Sequence, residues 1–220
     1  MTAERVRILG AEALGTFALV LFGCGAIMVD AEGERLGHVG ISLAFGLVVM
    51  AMVYAFAHVS GAHINPAVTL SLAARRRLSW ASVPGYWGAQ VAGAIAAAIA
   101  LRASLGDIAG LGATTPSGSD AQSFAWEVVM TATLLVVILA VATDSHVSIG
   151  AAAVAIGGTI ALAALVGGTI SGASLNPARS LGPALVSGEL GSLWIYLTAP
   201  LLGGLAGAAA FDALRPRTAP

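Results

Sequence analysis

The chain has 220 residues, 58% hydrophobic and 10% charged, with a net charge of −1 and a mean hydropathy of +0.91. This composition excludes an ordinary soluble domain and predicts an integral membrane protein. It also excludes a nucleic-acid partner, because no basic face exists to neutralise phosphates, and the single cysteine, Cys24, excludes an intramolecular disulfide or a thiolate metal cluster.

Arg5 and Arg7 lead into the first apolar run, at about 7–29. The run is long enough to cross a bilayer core of ~30 Å, and Glu12 interrupts the stretch where a cleavable signal would be apolar, so it reads as a span. Cys24, between Gly23 and Gly25, reads as a small buried packing residue. A second run covers about 38–58. Residues Gly61 to Leu70 then read Gly-Ala-His-Ile-Asn-Pro-Ala-Val-Thr-Leu, with an apolar stretch ending near Ala74 and the triplet Arg75-Arg76-Arg77 after it. A third run lies at about 80–103. The Gly/Thr/Ser-rich segment from Ser104 to Gln122 has no helical pattern and is expected to be a surface connection. Runs at about 123–143 and 147–169 follow. Gly172 to Leu181 reads Gly-Ala-Ser-Leu-Asn-Pro-Ala-Arg-Ser-Leu, with a short apolar stretch to Val186, and the last run covers about 191–213.

Asn65 and Asn176 are strong helix N-caps, and Pro66 and Pro177 suit the first helical position, where a missing N–H costs nothing. With Ala67 and Ala178 they form two matching helix starts. Ten helical residues cover ~15 Å, about half the hydrocarbon core, so each start predicts a re-entrant half-helix buried inside the protein. Glu12 opens the first span and Glu127 the fourth, at a separation close to that of the two Asn residues. The halves therefore read as duplicated units of three spans plus a half-helix. Three is odd, so the second unit is inverted, and the two half-helices meet near the midplane. The expected fold is an all-α membrane protein with six transmembrane helices plus two re-entrant half-helices. It forms one channel domain over 1–220, with repeat 1 at about 5–103, a loop at 104–122 and repeat 2 at about 123–213. Arg5, Arg7, Arg75, Arg76, Arg77, Arg215 and Arg217 fall on one side, predicted to be cytoplasmic with both termini. The Arg triplet reads as a topology signal in contact with lipid headgroups.

Each Asn is expected to cap its helix with its side-chain carbonyl, leaving its amide NH2 free to donate to a neutral solute such as water or an alcohol. Two helix N-termini facing the pore repel cations and interrupt a proton relay. The plainer reading makes both Asn residues caps only. Arg179 stands where repeat 1 has Val68; opposed by dipole and hydrocarbon, it is expected to face a wet cavity, held by backbone carbonyls, or else to pin its loop. Glu12 and Glu127 read either as a proton relay or as acceptors for backbone N–H groups of the re-entrant loops. His63 and His58 read as a pH-sensitive gate or as loop braces. Glycines such as Gly93, Gly203 and Gly207 are expected to allow close helix packing.

With the paired Asn-Pro-Ala motifs, Arg179, the Ala11-Glu12-Ala13-Leu14-Gly15-Thr16 opening and the six-span spacing, the chain resembles the aquaporin (major intrinsic protein) family over nearly its whole length. The resemblance implies a homotetramer of pores in a lipid bilayer, passing water or small neutral solutes while excluding protons. No catalytic residue, cofactor or metal is implied. It further implies an outer filter of Phe45, Ala164, Ala173 and Arg179. Water-specific members usually carry His where Ala164 stands, which predicts a wider, less polar constriction; Phe45 narrows it. The position of Ala173 often carries a mercury-sensitive Cys. Ser180, Ala184 and Tyr196 look aquaporin-like, whereas Leu197 replaces the usual Trp, a combination similar to the nodulin-like intrinsic proteins. The expected function is a passive channel in a cell (inner or plasma) membrane. The alternatives are a glycerol, urea or metalloid facilitator with incidental water flux, a proton-coupled secondary transporter, and a junction protein with a closed pore.

Overall fold

Apolar side chains have nothing to gain from leaving lipid, and backbone N–H and C=O groups have nothing but each other to bond there, so each long apolar run closes into a helix. The computed structural model describes residues 2–214. Among them six helices are long and apolar enough to span: α1 Ala3–Ala31, α2 Gly37–Ser60, α4 Val83–Leu105, α5 Asp120–Thr143, α6 Ile149–Ser171 and α8 Leu193–Leu214. Two short helices, α3 Pro66–Ala74 and α7 Pro177–Ser187, complete the set, and the described residues form no strand. The fold class is therefore the one expected. Arg215 and Arg217 lie outside the described residues.

The order long, long, short, long occurs twice. In the first half α1 packs on α2 and α4, in the second α5 packs on α6 and α8, and α2 crosses α6 at the centre. Glycines set these distances. A Cβ on Gly46 would lie 2.7 Å from the Gly157 carbonyl, and one on Gly157 would lie 2.6 Å from the Gly46 carbonyl. Likewise Gly93 is pressed on the Ala13 carbonyl of α1, and Gly203 on the Val128 carbonyl of α5. Such contacts bring backbones together where dispersion must replace the hydrophobic effect.

The Ser104–Gln122 segment is largely exposed, as a surface connection should be, but it is more ordered and locally more buried than its composition suggests. Helix α5 already starts at Asp120, where the Ser119 hydroxyl caps the Gln122 N–H. Upstream, Ala109–Gly112 forms a turn with Gly110 and Leu111 in left-handed conformation, and Leu111 and Gly112 are buried against α1. Sequence periodicity misses the burial of Leu111 and Gly112 because a single tight turn holds them rather than a repeating apolar face. Arg5, at the start of α1, reaches Gly85 at the start of α4, and Arg75 pairs with Asp212 near the end of α8, so these cations share one side.

Candidate functional site

The two short helices begin as their sequences dictate. Asn65 and Asn176 are extended, with φ of −159° and −148°, and each is followed by Pro in the first helical turn. Asn65 Oδ1 accepts from the Ala67 N–H at 2.8 Å; Asn176 Oδ1 accepts from Ala178 at 3.0 Å and from Arg179 at 3.3 Å. The amide groups differ from expectation. Asn65 Nδ2 donates to the Leu175 carbonyl at 2.8 Å, and Asn176 Nδ2 donates to the Ile64 carbonyl at 2.9 Å. One hydrogen of each NH2 thus ties a loop to the loop of the other half, and one remains. The sequence of one half does not show this, because the acceptor belongs to the other.

Each loop before its Asn is held by a buried carboxylate. Glu12 Oε1 accepts from His63 N at 2.9 Å and Oε2 from Ile64 N at 2.7 Å, while the Ser60 hydroxyl and Gln90 amide also donate to it. Glu127 accepts from Ser174 N and Leu175 N, both at 2.8 Å, and from the Ser171 hydroxyl. With their N–H groups drawn to one side, the loops alternate hand: Ala62, Ile64, Ala173 and Leu175 all have φ between 42° and 53°. Left-handed conformation in residues with a Cβ is costly and persists only where the surroundings impose it. His63 Nδ1 lies 3.1 Å from Thr69 Oγ1, whose own proton goes to the Asn65 carbonyl, so the imidazole donates. His58, expected to brace the loop as well, is instead exposed on α2 with no hydrogen bond among the described residues.

Sequence reasoning missed the pairs that complete these scaffolds. Tyr86 donates its hydroxyl to the Ser60 carbonyl and Tyr196 to that of Ser171. Each Tyr follows its Asn by about twenty residues, and that matched spacing was the available signal. Gln90, fully buried, has Pro200 at the matching position of repeat 2, so no symmetry pointed to it.

A cavity of about 410 Å³ runs between the halves. Arg77 and Asp144 stand at one end and Phe45 and Arg179 at the other, with Asn65 and Asn176 in the wall between them. Val49, Val53 and Ala57 of α2 and Ile156 and Ile160 of α6 supply apolar faces at four-residue spacing, opposed by the polar edge of Gly61, Ala62, His63 and Ser174. Glu12 and Glu127 do not reach this wall; both are fully buried behind the loops. Arg179 is 1% exposed, donates from Nη1 to the Gly112 carbonyl at 2.8 Å, and lies over the Phe45 ring. Its Nε has no hydrogen-bond partner among the described residues. Thus Phe45 and Arg179 are brought together, whereas Ala164 and Ala173 sit in an apolar cluster with Met130 and Leu134, outside the wall of this cavity. Cys24 is buried in the first half's core.

The family model described as "Major intrinsic protein" matches residues 1–211. The chain belongs to the major intrinsic protein family. It is 48% identical over 216 residues to Aquaporin NIP1-4 of Oryza sativa subsp. japonica, covering 98% of this chain and 79% of that one. It is 44% identical over 210 residues to Aquaporin NIP2-1 of Zea mays, covering 95% and 71%. The X-ray structure of the aquaglyceroporin from Plasmodium falciparum superposes with a TM-score of 0.86 at 28% identity, covering 96% of each chain. As a member of the major intrinsic proteins the chain is a multi-pass membrane channel, not an enzyme.

Proposed function

We propose that this major intrinsic protein is a passive channel for water and small uncharged solutes that excludes protons. The observation that carries the reading is the pair Asn65 and Asn176, each bonded into the opposite loop and both in the wall of one cavity that ends at Arg179. The remaining amide hydrogens donate to a solute, and the carbonyls of Gly61, Ala62 and His63 accept from it. A molecule with both lone pairs and hydrogens can pass by exchanging one partner for the next. A cation meets the positive ends of α3 and α7 and then the Arg179 charge. A water held by two donors at the centre must accept from both and cannot relay a proton there.

In this reading Phe45, Ala164, Ala173 and Arg179 form the outer constriction. Ala164 lies one helical turn beyond Ile160 on the same face of α6, and Ala173 precedes the wall residue Ser174, so both continue the wall past the cavity's end. Glu12, Glu127 and His63 support the loops. The residues form one channel domain, assembled as a homotetramer in a cell membrane with both termini cytoplasmic. A glycerol, urea or metalloid facilitator is the second reading, favoured by the small side chains of Ala164 and Ala173. A proton-coupled transporter is disfavoured, because its carboxylates would have to face the pathway, and Glu12 and Glu127 do not.

Proteoliposomes given an osmotic step test the reading. Shrinkage should be rapid and weakly temperature-dependent, and shrinkage no faster than bare lipid would overturn it. Parallel uptake of glycerol, urea and arsenous acid decides between the two channel readings.

A further inference from the structure

We propose that Thr114, in the connection between the two repeats, is a positioning residue for solute selection, acting through a chain of hydroxyls that ends on Asn176. The proton bookkeeping gives the chain a direction. Ser174 Oγ donates its single proton to the Asn176 carbonyl at 3.0 Å. Ser180 Oγ, 2.6 Å from Ser174 Oγ, must therefore donate to it, and Thr114 Oγ1, 2.7 Å from Ser180 Oγ, must donate in turn. All three residues are buried.

The chain touches the pathway at two points without Thr114 lining it. Ser174 and Asn176 are in the cavity wall. Two residues before Thr114, the Gly112 carbonyl holds Arg179, and Gly112 is itself wedged on α1, where an added Cβ would lie 2.7 Å from that of Cys24. One short segment thus fixes both the Arg179 guanidinium and the backbone of the second helix start. Repeat 1 solves the same problem internally: Thr69, which matches Ser180, receives its bond from Gln90 of α4. In repeat 2 the buttress comes from a segment that belongs to neither repeat. The connection can therefore vary and change the aperture while the duplicated scaffold stays constant.

The inference rests on the channel reading above. Thr114→Val keeps the shape and removes the hydroxyl, leaving Ser180 Oγ a buried acceptor without its donor. In proteoliposomes of equal channel content, the glycerol-to-water permeability ratio should shift by about fivefold, the worth of one net hydrogen bond. Thr114→Ser should restore the wild-type ratio, and Ser180→Ala, which cuts the chain elsewhere, should shift it in the same direction as Thr114→Val. Should Thr114→Val not fold, the Ser180→Ala and Thr114→Ser ratios decide. Wild-type ratios in Thr114→Val and Ser180→Ala would overturn the positioning role while leaving the channel reading intact. A shift that Thr114→Ser does not rescue would also overturn it, since the hydroxyl would not be the cause. Absence of any flux in the wild type would overturn both.

Discussion

The Arg179 guanidinium carbon lies 4.9 Å from the centroid of the Phe45 ring. The cation stands over the ring's negative face, so each side chain limits the other's rotation at the end of the cavity. Gly23 of α1 makes room for the ring, since a Cβ there would lie 2.3 Å from a Phe45 ring carbon. Four elements thus converge on one contact, with the Gly112 carbonyl as the fourth.

Replacing Arg179 with Val, the residue its repeat counterpart Val68 carries, removes the charge and keeps a side chain the fold accepts. Cation or proton leak should rise on the order of tenfold, because one electrostatic barrier is lost. Vesicles with an entrapped pH dye and a potassium diffusion potential report it; unchanged leak alongside unchanged water flux would show that Arg179 only pins its loop.

Phe45→Ala opens the same place without touching the charge. Glycerol uptake should rise by a larger factor than osmotic water permeability, whereas an equal rise in both would place the narrowest point elsewhere.

Ala164→His tests whether the α6 stripe continues into the constriction. Glycerol or arsenous acid uptake should fall more than water flux. Equal loss of all permeants would count against a filter at this position.

Glu127→Gln separates a brace from a proton relay. An amide presents N–H2 where the Ser174 or Leu175 N–H needs an acceptor, leaving buried donors unpaired at ~1–3 kcal/mol each. Thermal stability in detergent and water flux should fall together. A relay predicts instead a stable protein that has lost uptake driven by a pH gradient.

Gly46→Ala puts a methyl against the Gly157 carbonyl where α2 crosses α6. Overpacking of this kind costs ~1–3 kcal/mol, read as a lower melting temperature in detergent. A melting temperature equal to wild type would show that the crossing yields.

The six spans and both helix starts were legible because they rest on local rules: apolar length for the spans, and Asn followed by Pro for α3 and α7. Observed helix ends fall within a few residues of those expected. Burial of Leu111 and Gly112 was not legible, since their partners lie on α1 and at Arg179, the latter some 67 residues away. The same holds for Gln90, whose partners Glu12 and Thr69 are 78 and 21 residues distant. Asn65 and Asn176 were recognised as caps, but not as ties between loops. Local chemistry thus shows what a residue needs, and only the assembled pair of repeats shows where it finds it.

The cross-ties also bear on biosynthesis. The acceptor for Asn65 is the Leu175 carbonyl, 110 residues further along the chain. While the ribosome is still making the second half, the first loop has no counterpart to close against and no opposite wall. Its aperture does not yet exist. A chain that stops after α4 therefore lacks both the acceptor for Asn65 and the wall that α5, α6 and the second loop supply, and only the later-made helices close the cavity.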